Sequence, residues 1–288
     1  MSGIMDSGTM DRALIVLGAG GAVGRGVVEA ALSEARAVVA VGLDEAAQTA
    51  LLAAHPRARL RAIPVAIRSD ADAAALAATL RGSGTAIDGV IASLAGTHPC
   101  GRLIDEPAEV LQRTLDQDLL PHLFAARHLL PLLPGDAAGY VLVGGPGGRY
   151  PWAGYGHCSI AAAALRMMAR VLHDEAGRQG HRVQLLSMDA PLGPDRAAAA
   201  LALGRSALAM LEGARARFPA PIHDYAASMT SGVIATGPAR GASSRHGNRR
   251  RDATPTRDML PARDQRAARV LLDAIAFPTP GNLHDEHC

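Results

Sequence analysis

Lysine is absent from this sequence: all 29 basic residues are arginine. That absence removes Schiff-base chemistry, a phosphate-loop lysine and any lysine-assisted tyrosine before a motif is weighed. Aromatic residues make up only 3% of the chain, and none interrupts the arginine run 249–251, so that run reads as a solvated loop rather than a stacking platform for nucleic acid. With 27 acidic residues against the 29 basic ones, the net charge of +2 gives no reason to expect nucleic acid as a partner. The three cysteines, Cys100, Cys158 and Cys288, are widely spaced and form no CxxC, which argues against a disulfide framework and for a reducing cytoplasm. No uncharged run is long enough to span a bilayer, so no membrane partner is expected. Residues 13–24 are apolar but rich in glycine and lead into Arg25, and they are read as no export signal.

What is present is a chain of 288 residues, 49% of them hydrophobic, enough to bury the core of one α/β domain. Short apolar runs alternate with helical spacing. ALIVL (13–17), AVVAV (37–41), LRAIPV (60–65), DGVIASLAG (88–96), GYVLVGG (139–145) and HRVQLLS (181–187) read as strands. Helices are expected after the first glycines, from Glu45, from Asp70, over 107–133 with a kink at Pro121, over 155–176 and over 196–217. Such alternation predicts an α/β fold, a doubly wound parallel sheet of six to seven strands with helices on both faces. Residues 1–11 are expected to be an N-terminal tail and 12–235 the main domain. The stretch 236–258, with six arginines and two prolines, is expected to be a flexible loop. Residues 259–288 are expected to complete the same domain with a helix and a short strand at GNLHD.

The strongest motif is LGAGGAVGRG (17–26), between the first strand and the first helix. Gly18, Gly20, Gly21 and Gly24, with Ala22, Val23 and Arg25, satisfy the needs of a dinucleotide site, a tight turn and a close approach of pyrophosphate to a helix N-terminus. The sheet is therefore read as Rossmann-like, and NAD or NADP as the cofactor. The ribose carboxylate of such sites falls at the end of the second strand, where Gly42 stands, with Asp44 two residues on. Asp44 is a candidate ribose ligand and equally a helix cap. Gly42 cannot repel a 2′-phosphate, and Arg25 could attract one, so the choice of nucleotide stays open.

Over residues 12–190 these motifs together resemble the short-chain dehydrogenase/reductase family, and most of all its extended or atypical members. ASLAG (92–96) resembles the family's NNAG turn and keeps Ala95 and Gly96 for the cofactor. DQDLLPHLF (116–124) resembles the helix of the catalytic asparagine, with Asp118 at that position. VLVGG resembles the fifth strand, with Gly144 and Gly145 where a catalytic serine is usual. YGHCS (155–159) resembles the YxxxK helix start, keeping Tyr155 but placing Ser159 at the lysine. Ala66 replaces the adenine-binding aspartate.

The resemblance implies a tyrosine that exchanges a proton with substrate while hydride moves to or from the nicotinamide. Without the lysine, a tyrosine with a pKa of about 10 is phenolate in about one molecule per thousand at neutral pH. Ser159 can hydrogen-bond a ribose but carries no charge. An Asp118 carboxylate nearby would raise the tyrosine pKa further. Tyr155 is equally readable as an aromatic cap packed on Trp152 or Pro151. His157 lies only two residues further along the helix and is not expected to reach the same face. The tail HDEHC (284–288) is read as an adventitious metal binder, and no metal site is expected. Ile160, Leu165, Met168, Val171 and Leu172 on the same helix, together with the resemblance, predict a homodimer or homotetramer. The expected function is a slow NAD(P)-dependent oxidoreductase acting on a small carbonyl or alcohol of unknown identity. The alternative is a catalytically degenerate nucleotide-binding sensor or partner subunit.

Overall fold

The computed structural model describes residues 12–135, 138–192, 195–212 and 220–225. The tail 1–11, the loop 236–258, the helix and strand expected over 259–288 and the HDEHC end lie outside the described residues.

Seven strands, β1 (Arg12–Leu17), β2 (Val38–Val41), β3 (Leu60–Ile63), β4 (Ala86–Ala92), β5 (Gly139–Gly144), β6 (Arg182–Met188) and β7 (Ile222–Tyr225), form one sheet in the order β3-β2-β1-β4-β5-β6-β7. Every pairing is parallel. The helices are α1 (Ala22–Ser33), α2 (Glu45–Ala54), α3 (Asp70–Gly82), α4 (Ala108–Asp118), α5 (Leu120–Leu129), α6 (Gly156–Gly177) and α7 (Arg196–Glu212). Alternate residues of β1 feed opposite faces: Ala13, Ile15 and Leu17 join one apolar cluster, Leu14 and Val16 the other. The first cluster is covered by α3, α5 and α6, the second by α1 and α7. Burial on both faces explains why β1 and β2 read as unbroken apolar runs.

Three elements depart from their sequence reading. The long helix expected over 107–133 breaks at Leu119 into α4 and α5, and Pro121 lies in the first turn of α5, where its missing N–H has no helical acceptor to lose. β3 ends at Ile63, ahead of Pro64. The seventh strand of the sheet is β7, which pairs Leu185 with Ile222 through to Met188 with Tyr225, in a stretch to which the sequence reading assigns no element.

Because β2 and β3 lie on one side of β1 and β4 on the other, the chain reverses its winding between β1 and β4. A crevice opens outside the C-terminal ends of strands at such a reversal.

Candidate functional site

A cleft of about 240 Å³ occupies that crevice. Its wall includes Gly18, Gly21, Gly42, Arg68, Ala95 and Gly96. Gly18 has φ +74°, and a Cβ there would stand 2.0 Å from the Ser93 carbonyl oxygen, so both its conformation and its neighbour exclude a side chain. A Cβ on Gly24 would stand 2.1 Å from Gly18 O, so this glycine lets α1 start tight against the turn. Gly21 is the N-cap of α1 and makes no side-chain capping bond. The first N–H groups of α1 lack intrahelical acceptors and, with the helix dipole, offer an anion site at the cleft.

Four of the residues read as cofactor-binding, Gly18, Gly21, Ala95 and Gly96, thus line one cavity. Gly20 and Gly24 support the turn from behind, and Ala22 and Val23 form the first turn of α1. Arg25 is exposed on α1 and stands outside the wall. Asp44 also stands outside it and caps α2, accepting the Ala47 N–H at 2.7 Å, because a short side chain just before a helix reaches its own backbone first. Arg68, beyond β3, had no motif to mark it and enters the wall beside Ala66.

A second cleft of about 200 Å³ shares Leu94, Ala95 and Gly96 with the first and extends toward Val143, Gly145 and Trp152. Asp118, at the end of α4, lines it and ties down the loop after β4, accepting the Gly96 N–H at 2.7 Å and lying 2.9 Å from His98 Nε2. His122, buried on α5, holds the same loop through Nε2 to Leu94 O at 3.0 Å. Cys158 also lines this cleft, and burial followed by the Asp118 charge pushes its thiol up to about 11, which makes it a poor nucleophile in this state.

Tyr155 lines neither cleft. It is the N-cap residue of α6, and its ring stacks on Trp152 at 4.2 Å between centroids with 23° between planes, the packed cap that the sequence also allowed. Ser159 accepts the Trp152 N–H at 2.9 Å and donates to Tyr155 O at 3.1 Å, so its hydroxyl fastens the segment before α6. At the usual serine position, a Cβ on Gly145 would meet nothing within 4 Å, whereas one on Gly144 would press on Leu185 Cδ1 at 3.2 Å. His157, which the sequence set on another face from Tyr155, and His98, which no motif marked, come within 5.8 Å of each other between ring centroids, and His157 is fully buried.

Parallel strands wound both ways about β1, with a glycine-lined cleft at a helix N-terminus, define a doubly wound α/β protein of the Rossmann-like class. The sequence profile of a family described as enoyl-(acyl carrier protein) reductase matches residues 18–207. The chain belongs to the short-chain dehydrogenase/reductase family. No curated protein matches the sequence.

Among solved structures, a short-chain dehydrogenase from Mycobacterium smegmatis is similar at 19% identity, over 78% of this chain and 95% of that one, with a TM-score of 0.64. A short-chain dehydrogenase from Streptomyces avermitilis shares 24% identity over 62% of this chain, with a TM-score of 0.55, and the match spans only 65% of that protein's length. An NADPH-bound short-chain oxidoreductase from Pseudomonas aeruginosa PAO1, containing an atypical catalytic center, shares 22% identity over 61% of this chain and 70% of that one, with a TM-score of 0.56. At these identities the likeness establishes the fold. Among the described residues, no helix is long and apolar enough to cross a membrane.

Proposed function

We propose that this protein binds NADP(H) in the first cleft and slowly reduces a small, largely apolar carbonyl compound in the second. The observation that carries the reading is the ribose end of the cleft, where Gly42 provides no carboxylate and Arg68 stands in the wall. A 2′-phosphate would meet the Arg68 cation and no carboxylate at residue 42, the one carboxylate of the wall being Asp116 on α4, whereas the 2′-hydroxyl of NAD(H) would lack its usual acidic partner at the end of β2. The dinucleotide, when bound, supplies the hydride. This chain's residues orient it: the α1 N-terminus holds the pyrophosphate, and Leu94, Ala95 and Gly96 stand where the two clefts meet. The second cleft presents Leu94, Val143, Trp152, Leu165 and Met188, which favours an apolar substrate body.

In this reading Tyr155 gives the proton, one aromatic ring away from the cleft that Trp152 lines. A neutral phenol is already in the right state for reduction, while alcohol oxidation needs the phenolate and no lysine helps to form it. Fluorescence titration is expected to show NADPH binding at least about tenfold tighter than NADH, about 1.4 kcal/mol, with Arg68→Ala removing most of that preference. Equal affinities for the two nucleotides would overturn the assignment. Once a substrate is found, Tyr155→Phe is expected to cut reduction by about 10² to 10⁴, and Gly145→Ser, which has room, to raise it. Unchanged turnover in Tyr155→Phe assigns the residue to packing alone.

A second reading, nucleotide binding without turnover, is favoured by the stacking of Tyr155 on Trp152 and the full engagement of Ser159. Tight NADPH binding with no oxidation of it across a panel of carbonyl compounds would select this reading.

A homodimer is proposed through α6, where Ile160, Met167 and Val171 are 39%, 56% and 45% exposed. Their spacing of seven and four residues puts them on one stripe of the helix. Light scattering at tens of micromolar is expected to give twice the chain mass, and a monomer there rejects the pairing. The free thiols of Cys100 and Cys158 support a cytoplasmic residence.

A further inference from the structure

We propose that His98, His157 and Cys158 form a binding site for a borderline-soft divalent metal ion of the Zn²⁺ type. No sequence motif marks this site, because two of the three residues open α6 while the third comes from the loop after β4. That loop is held against the start of α6 by the Gly101 N–H, which donates to Gly154 O at 2.8 Å. As a result, one ligand atom from each of the three side chains lies within 4.8 Å of the others.

The observation that asks for a ligand is His157. It is fully buried, and neither ring nitrogen has a hydrogen-bond partner. Buried imidazoles are otherwise paired, so an unpaired one pointing into a cluster of potential donors needs an explanation. A metal ion explains it: the lone pair that finds no N–H or O–H finds a cation. His98 is already turned by Asp118, whose carboxylate lies 2.9 Å from its Nε2, as metal-binding imidazoles are commonly turned by a carboxylate. That leaves Nδ1 for a metal, 3.4 Å from the Thr114 hydroxyl, whose proton has a second acceptor in Val110 O at 2.8 Å. Cys158 supplies the third donor and, with His98, lines the second cleft.

Two imidazoles and a thiolate form a donor set for Zn²⁺ or Co²⁺; Mg²⁺ and Ca²⁺ prefer oxygen. Donors around a tetrahedral Zn²⁺ stand roughly 3.3–3.8 Å apart, so binding draws these side chains together by about 1 Å. Three protein ligands leave a fourth position, and the cleft is where it opens. A cation there would polarise the oxygen of a carbonyl substrate in place of the lost lysine charge. That role rests on the reading of the protein as a reductase, whereas metal binding itself does not.

The test uses the full chain, stripped with a chelator and titrated with Co²⁺. One tightly bound equivalent is expected, with a thiolate-to-cobalt charge-transfer band in the near ultraviolet and tetrahedral d–d bands, all displaced by Zn²⁺. The HDEHC tail carries a similar donor set, so a His284→Ala, His287→Ala, Cys288→Ser variant is titrated in parallel and is expected to keep the band. Cys158→Ser, a near-isosteric change, is expected to lose it, and His157→Asn to weaken binding by at least 100-fold. Thermal melting confirms that each variant is folded, and if His157→Asn is not, Cys158→Ser decides. Survival of the band in Cys158→Ser, its loss in the tail variant, or no binding at micromolar Co²⁺ overturns the site. NADPH titration of the same samples tests the nucleotide reading separately, because the glycine-lined wall at Gly18 and Gly21 holds none of the three ligands.

Discussion

Gly21→Asp is expected to abolish nucleotide binding without weakening the fold. Gly21 sits at φ −75° and ψ 163°, an extended conformation that any residue adopts, and makes no side-chain capping bond. A Cβ added there meets only Gly18 O, at 3.4 Å. Aspartate is among the best N-cap residues and is favoured over glycine by a few tenths of a kcal/mol, about 0.3–0.5. The same carboxylate would project at the wall of the cleft where a pyrophosphate has to meet the α1 N-terminus, setting charge against charge at the one place the helix dipole attracts an anion. A loss of at least about 100-fold in NADPH affinity, about 2.7 kcal/mol, is expected in fluorescence titration, alongside an unchanged or higher urea midpoint. Affinity retained within a few-fold would move the nucleotide away from Gly21 and with it the reading of the first cleft.

Below neutral pH the protein is expected to lose stability steeply, and His122 is the main cause. Burial holds this imidazole at about 4, below the usual 6.5, with the hydrogen bond to Leu94 O opposing the shift only in part. The unfolded chain binds a proton at residue 122 once the pH falls below 6.5, and the folded chain does not until about 4. The folded pKa is depressed, so this contribution is whole above pH 6.5 and is lost progressively as the pH falls toward 4. One group with this shift changes stability by about 1.4 kcal/mol per pH unit, or about 3 kcal/mol across the window. His122→Gln keeps an N–H donor for Leu94 O and removes the titration. Urea unfolding at pH 7 and pH 5 is expected to show the wild type losing about 2 kcal/mol more than this variant. Equal losses would assign the acid sensitivity to other groups. Because Leu94 borders both clefts, nucleotide affinity measured over the same range is expected to fall with stability.

The residues that announced the fold were those whose requirements are met within a few neighbours. Period-two and period-3.6 patterns placed six of the seven strands, because a strand buried on both faces must be apolar along its length, as β1 is. The glycines at 18 and 24 were legible because turn geometry and close backbone contact demand them locally. β7 was not, since IHDY is four residues long with only partial burial, and its identity as a strand comes from pairing with β6. Nor did Leu119, where α4 gives way to α5, carry a signal of its own, although Pro121 placed a bend within two residues of it.

By itself the sequence determined a parallel α/β sheet, a glycine-rich turn at Gly18–Gly24 between β1 and α1 and the absence of any lysine to support Tyr155. Only the tertiary structure decided that Asp44 caps α2, that Arg68 enters the glycine-lined cleft, that Tyr155 rests on Trp152, and that His98 meets His157 and Cys158. The difference is physical. Backbone conformation and burial periodicity depend on each residue and its near neighbours along the chain. Hydrogen-bond pairing, ring stacking and ligand clustering depend on which segments the sheet brings together, and the loop after β4 meets α6 only because β4 and β5 lie side by side.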